Sequence, residues 1–196
     1  MVRLRIIEEY AKENNIPIME KSGIEFLTNY IKENKIKKIL EIGSAIGYSA
    51  IKMALVDEDI TITTIERDEK RYLEAIKNIK EFELEKRINI ILDDAFNINL
   101  EEKFDLIFID AAKSQYIKFF EKFKENLNSN GVIISDNLDF HGLVEGDYDS
   151  YSRNVKGIVR KLKNYINFLK ENEEFETEFI KIGDGIAITR KLENQD

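Results

Sequence analysis

From Lys37 onward the chain alternates short apolar runs with longer stretches in which apolar residues recur every three or four positions. Runs of five or six apolar-rich residues read as buried strands, and the 3.6-residue period reads as amphipathic helix. On this basis a strand at 37–42 precedes a helix from about Tyr48, and a strand at 60–65 precedes a helix over Asp68 to Phe82. A strand at 88–92 enters the loop Asp93-Asp94-Ala95, followed by a strand at 104–109 and a helix from about Ser114 to Leu127. Asn130-Gly131 predicts a turn before a strand at 132–135. Strands separated by helices imply βαβ units and a parallel sheet. Two further helices, Arg3 to Asn14 and Glu20 to Asn34, flank Pro17, the only proline. The end of the chain breaks the alternation. After a helix over Asn154 to Asn172, segments 176–181 and 186–190 flank Gly183-Asp184-Gly185, a hairpin signal that makes the last two strands antiparallel. The expectation is one α/β domain, residues 1–35 forming N-terminal helices and 36–196 the core, with a mostly parallel sheet closed by an antiparallel hairpin.

Three of the apolar runs stop abruptly on acidic or amide side chains: Ile39-Leu40-Glu41, Leu106 to Ile109 before Asp110, and Val132 to Ser135 before Asp136-Asn137. In an open parallel sheet the carboxyl ends of strands line the ligand crevice, so Asp110, Asp136 and Asn137 should meet there. Two carboxylates and an amide oxygen are hard ligands suited to magnesium or another divalent cation. Lys113 follows one turn beyond Asp110. Asp and Asn also favour plain turns, and a lysine is most often a solvated surface group, so each residue has a bland reading beside the chemical one. His141, the only histidine, lies just past Asn137 and reads as an exposed loop residue or a substrate contact.

The segment Glu41-Ile-Gly43-Ser-Ala-Ile-Gly47-Tyr-Ser49 leaves the first strand and opens a helix. Glycine permits the tight turn and close backbone approach that a ligand requires. A dinucleotide fingerprint wants three glycines as G-x-G-x-x-G, whereas this turn has only Gly43 and Gly47. Glu66 ends the second strand, where a carboxylate can accept from ribose hydroxyls, and Asp94-Ala95 after the third can meet an adenine edge. A glycine turn and a ribose-binding acid without a pyrophosphate cradle fit S-adenosylmethionine better than a dinucleotide.

Composition narrows the options. The chain has no cysteine, which excludes disulfides, thiolate metal sites and cysteine nucleophiles. Met1 to Asn14 lacks the apolar core of a signal peptide and no run spans a bilayer, so a cytoplasmic location is expected. The net charge of −8 argues against a polyanionic partner, but the distribution is uneven. Tyr151 to Lys170 holds six basic residues and no acidic one, with Arg153, Lys156, Arg160 and Lys163 at helical spacing. Local charge steers a polyanion, and this row beside a lid over Phe140 to Ser152, with Tyr148 and Tyr151, suits a phosphate backbone and an unstacked base. An ordinary solvated helix face is the alternative.

Taken together, Glu41-Ile-Gly-Ser-Ala-Ile-Gly-Tyr-Ser-Ala50, Phe108-Ile-Asp-Ala-Ala-Lys113 and Ser135-Asp-Asn137 resemble the metal-dependent O-methyltransferases of the catechol and caffeoyl-CoA type. The resemblance implies a Rossmann-like class I methyltransferase fold, a seven-stranded sheet with helices on both faces, and a homodimer. It implies that Met19, Glu41, Gly43, Gly47, Ser49, Glu66, Asp94, Ala95 and Asp110 surround S-adenosylmethionine, Ser49 taking the methionine carboxylate and Glu66 the ribose. It further implies that Asp110, Asp136 and Asn137 hold a magnesium ion with Lys113 as the base, so that Lys113 and Asp110 are catalytic. Within that family the chain is similar to bacterial tRNA 5-hydroxyuridine methyltransferases through Pro17 to Glu20, Asp110 to Tyr116, Ser135 to Val144, and Arg153-Asn154 with Arg160 to Leu162. That implies a tRNA anticodon loop as substrate, with Arg153, Lys156 and Arg160 as expected RNA contacts. A small catechol or caffeoyl-CoA-type acceptor is the competing expectation.

Overall fold

A computed structural model describes residues 2–139, 142, 144, 146 and 151–192. Its helices are α1 (Val2–Glu13), α2 (Lys21–Glu33), α3 (Tyr48–Ala54), α4 (Glu69–Glu81), α5 (Tyr116–Phe123) and α6 (Arg153–Lys170). Its strands are β1 (Lys38–Ile42), β2 (Thr61–Glu66), β3 (Ile88–Leu92), β4 (Phe104–Ile109), β5 (Leu127–Ser135), β6 (Phe175–Ile180) and β7 (Ile186–Lys191). The seven strands belong to one mixed sheet, and the chain gathers into two compact units, residues 1–100 and 101–196.

In the first unit β1 pairs with β2 and β2 with β3, all parallel, with Ile42 beside Ile65 and Glu66 beside Leu92. That register places Gly43, Glu66 and Asp93 at the same end of neighbouring strands. The helices follow the expected chemistry. Asp68 caps α4 by accepting the Arg71 backbone N–H at 2.9 Å, which satisfies one of the donors a helix start leaves open. Ile24, Leu27 and Ile31 give α2 its buried stripe at three- and four-residue spacing.

In the second unit β4 and β5 run parallel, with Ile109 beside Ser135, and β5–β7 and β6–β7 are antiparallel. The hairpin over Gly183-Asp184-Gly185 is thus as expected. Phe120 meets Phe168 and Phe175 edge-on at 5.3 and 5.2 Å between ring centres, joining α5, α6 and β6. Each such ring contributes about 2 kcal/mol of apolar burial.

Two local expectations are corrected. The helix over Ser114 to Leu127 is shorter, because a 3-10 turn at Lys113–Gln115 precedes α5 and another at Lys124–Asn126 ends it. The buried set Tyr116, Phe119, Phe120 and Phe123 fills only two helical turns, and Leu127 is drawn into β5 instead. Asn130-Gly131 does not precede a strand but lies within β5, inside a register irregularity where Leu127 pairs with Phe104 and Val132 with Leu106. A Cβ on Gly131 would sit 2.8 Å from the Leu127 side chain and 3.0 Å from the Phe104 carbonyl oxygen, so a larger residue would force the bulge to shift. Asn128 steadies the bulge by donating to Asp105 at 2.7 Å.

Candidate functional site

In the first unit Glu41, Gly43, Gly47, Ser49 and Glu66 lie in or against one turn. Gly43 and Gly47 have φ of 97° and 82°, and Ala45 between them 46°, so the chain makes a left-handed bend that glycine enters without strain. The N–H groups of Gly43 and Ser44 continue the sheet by donating to the Ile65 carbonyl at 3.0 and 3.2 Å. Glu66 clamps the bend. Its Oε2 accepts from Ala45 N–H at 2.8 Å and its Oε1 from the N–H groups of Arg67 and Asp68 at 2.9 and 2.8 Å. A carboxylate has about four acceptor sites, so roughly one remains for an outside hydroxyl.

Glu41 is fully buried at the end of β1 and accepts from the hydroxyls of Ser49 and Thr64. The Ser49 proton is therefore directed inward, onto Glu41. Met19 is buried against Gly23. Asp94 accepts the Phe96 N–H at 2.9 Å in a tight turn, its neighbour Ala95 is buried, and Arg67 lies 4.0 Å from the Asp94 carboxylate.

The second unit brings together the residues expected to bind metal. The β4–β5 register sets Asp110 beside Asp136, and the Asp136 N–H donates to the Ile109 carbonyl at 3.2 Å. Asn137 adopts the left-handed conformation, φ 63°, which asparagine tolerates better than most residues. Its amide nitrogen donates to Asp110 Oδ1 at 3.0 Å and to Asp136 Oδ2 at 3.1 Å. Turning the amide about its last bond would offer oxygen instead of nitrogen, giving three oxygen donors around one point. Among the described residues no group of three or more histidine, cysteine or acidic side chains is placed to hold a metal. The donor set is two carboxylates and an amide, which fits a hard divalent cation that keeps sites for water or substrate.

Electrostatics agree with such a role. Burial raises the Asp110 carboxyl above the usual carboxylate range, and the Lys113 charge opposes the shift. Asp136, 3% exposed, is raised by burial and then by the Asp110 charge, with Asp184 adding to the effect. Two desolvated carboxylates side by side hold negative charge poorly unless a cation shares the site. Lys113 stands half-buried at the 3-10 turn rather than on a full helix, and its charge acts on both.

Several contributing residues were not singled out from sequence. The buried Tyr116 hydroxyl donates to the Asp136 carbonyl at 3.0 Å, and the Tyr165 hydroxyl pairs with Ser135 at 2.7 Å, the two rings meeting edge-on. They fix the end of β5 from behind. Asp184, buried in the β6–β7 hairpin, completes the acidic surroundings. In the first unit buried Asn78 on α4 donates to the Ile46 carbonyl at 2.9 Å. A polar residue on the apolar stripe of Ala75 and Ile79 was the available signal for Asn78. Arg153 and Arg160 are exposed and Lys156 and Lys163 partly so, on the face of α6 away from buried Val159, Leu162, Tyr165 and Leu169. Tyr151 is exposed, whereas Phe140, His141 and Tyr148 lie outside the described residues.

The fold and these two clusters define a Rossmann-like methyltransferase scaffold. The chain matches the family model for O-methyltransferases over residues 2–192, and it belongs to that family. A candidate caffeoyl-CoA O-methyltransferase structure from Staphylococcus aureus superimposes with a TM-score of 0.90 at 37% identity, covering 96% of this chain and 92% of that one. The SAH-bound methyltransferase PaMTH1 of Podospora anserina gives 0.80 at 26% identity, over 89% and 80% of the two chains. The caffeoyl-CoA O-methyltransferase of Populus kitakamiensis is 30% identical over 85% of this chain and 75% of its own. No helix among the described residues is long and apolar enough to cross a membrane.

Proposed function

We propose that this protein is an S-adenosylmethionine- and divalent-metal-dependent O-methyltransferase acting on one of two vicinal oxygens of a small catechol or caffeoyl-CoA-type acceptor. The observation that carries the reading is the convergence of the Asp110, Asp136 and Asn137 side chains near Lys113 at the carboxyl ends of β4 and β5. The likeness to caffeoyl-CoA O-methyltransferases supports the acceptor class. Asp110, Asp136 and Asn137 would hold a divalent cation, which would supply Lewis-acid chemistry that makes the reacting hydroxyl more acidic, and S-adenosylmethionine, when bound, would supply an activated methyl group. Lys113, as its neutral amine, would take the proton of that hydroxyl as the oxygen gains the methyl group and S-adenosylhomocysteine leaves. Glu66 accepts one ribose hydroxyl and keeps the Gly43–Gly47 bend in shape, while Glu41 sets the position of Ser49 beside the amino-acid end of the cofactor. Asp94 and Ala95 border the adenine, and Met19 the methionine end.

A second reading is favoured by one observation, the outward basic row on α6. In it the acceptor is 5-hydroxyuridine in a tRNA anticodon loop, whose 5-hydroxyl and 4-carbonyl oxygens are vicinal like those of a catechol, and Arg153, Lys156 and Arg160 meet the phosphates. The deciding experiment follows methyl transfer from labelled S-adenosylmethionine to a catechol and to tRNA bearing 5-hydroxyuridine, each over a salt series. Methylated catechol with little salt dependence supports the first reading. Methylated tRNA whose binding falls steeply with salt supports the second. Transfer to neither, with metal and cofactor present, overturns both.

A further inference from the structure

Three side chains from elsewhere in the first unit hold the turn between β1 and α3. Glu66 accepts the Ala45 N–H, Asn78 donates to the Ile46 carbonyl at 2.9 Å, and the Tyr48 hydroxyl donates to Glu8 Oε1 at 2.7 Å. The first two belong to β2 and α4 of the sheet scaffold and are in place whenever that scaffold is folded. The third comes from α1, forty positions earlier in the chain.

α1 is attached by few groups. It buries only Ile7 and Ala11, leaves Val2 and Ile6 75% and 55% exposed, and lends Arg3 to the Glu81 carbonyl at the end of α4. Tyr48, by contrast, is 4% exposed and directly follows left-handed Gly47. Burial, and then the Glu8 carboxylate, hold its hydroxyl in the protonated, donating form. A buried tyrosine hydroxyl needs an acceptor, and Glu8 is the acceptor this hydroxyl meets. Loss of that acceptor acts on the turn itself, because Tyr48 sits between Gly47 and Ser49.

We infer that Glu8 and Tyr48 are a positioning pair linking α1 to the cofactor turn, so that docking of α1 and occupancy of the turn stabilise each other. This rests on the cofactor reading above. A ligand that fixes the Gly43–Ser49 turn fixes the tyrosine and favours docked α1. By thermodynamic reciprocity, docked α1 raises affinity for the ligand. α1 is then part of cofactor binding without touching the cofactor.

The test titrates the full chain with S-adenosylhomocysteine by calorimetry and follows amide hydrogen exchange in residues 2–13. In the wild type, saturating ligand should slow exchange across α1. Tyr48→Phe and Glu8→Ala should each weaken the ligand about tenfold and remove the ligand-dependent slowing. Their double variant should be no worse than either alone, since one interaction is lost in all three. Glu8→Gln, which keeps an acceptor oxygen, should stay near wild type. Because Glu8 is exposed, its variants test the linkage even if Tyr48→Phe disturbs folding. Equal α1 exchange with and without ligand, or wild-type affinity in Glu8→Ala, overturns the inference while leaving the cofactor reading intact. A wild type that binds no S-adenosylhomocysteine overturns that reading, and the linkage with it.

Discussion

Replacing Asp136 by asparagine should make the metal-free protein more stable at pH 8 while removing its response to metal. Asp136 is 3% exposed, beside Asp110 and within electrostatic reach of Asp184, and burial with these charges raises its proton affinity. A carboxyl raised in the folded state contributes full stability below its unfolded value of about 4. That contribution is lost as pH climbs through the raised folded value, because the unfolded chain then releases the proton more readily. Wild-type stability in chelator should therefore decline from about pH 4 toward neutrality. The asparagine is isosteric and neutral, leaves an oxygen for Asn137, and does not disturb the Tyr116 bond, which goes to the backbone. The gain at pH 8 should be on the order of 2 kcal/mol, given that each tenfold change in proton affinity corresponds to about 1.4 kcal/mol. In a chain of this length that raises the melting temperature by about 4–8 °C. Thermal melts in chelator across pH 4–8, repeated with manganese, provide the assay. The advantage should vanish toward pH 4, and manganese should raise the wild-type melting temperature but not that of the variant. A variant less stable than wild type at pH 8, or an advantage unchanged between pH 4 and pH 8, would refute the account of a strained acidic pair.

Lys113→Met should lower the turnover number by about 10²–10⁴-fold, the usual contribution of a positioned base, with S-adenosylhomocysteine affinity unchanged in calorimetry. Lys113→Arg should not restore it, since a guanidinium stays protonated. Glu66→Ala should orphan the N–H groups of Ala45, Arg67 and Asp68, costing about 1–3 kcal/mol in urea unfolding and weakening S-adenosylhomocysteine as well. Gly47→Ala should destabilise by about 1–2 kcal/mol, because φ of 82° is unfavourable for alanine and the new Cβ would stand 3.3 Å from that of Ala75; a denaturation midpoint equal to wild type would contradict this.

The sequence by itself determined the order and type of nearly every element, because local apolar periodicity and turn chemistry are properties of neighbouring residues. The hairpin over Gly183 to Gly185 and the strand ends at Glu66, Asp110 and Asp136 follow directly from that pattern. It also nominated Asp110, Asp136, Asn137 and Lys113, since two apolar runs each terminated on hard ligands. It misplaced Asn130-Gly131, where long-range pairing with Phe104 and Leu106 overrode a local turn signal. Which groups already satisfy one another was decided only by tertiary structure. Glu41 looked like an open site carboxylate, yet it spends both oxygens on Ser49 and Thr64; Glu66 is largely taken up by three backbone donors. Likewise Tyr116 behind Asp136, and Glu8 reaching Tyr48 across forty positions, depend on which side chains the fold brings within hydrogen-bond distance. Periodicity encodes what a segment becomes, whereas the distance between segments, and with it the charge state and free valence of each polar group, exists only once the chain has packed.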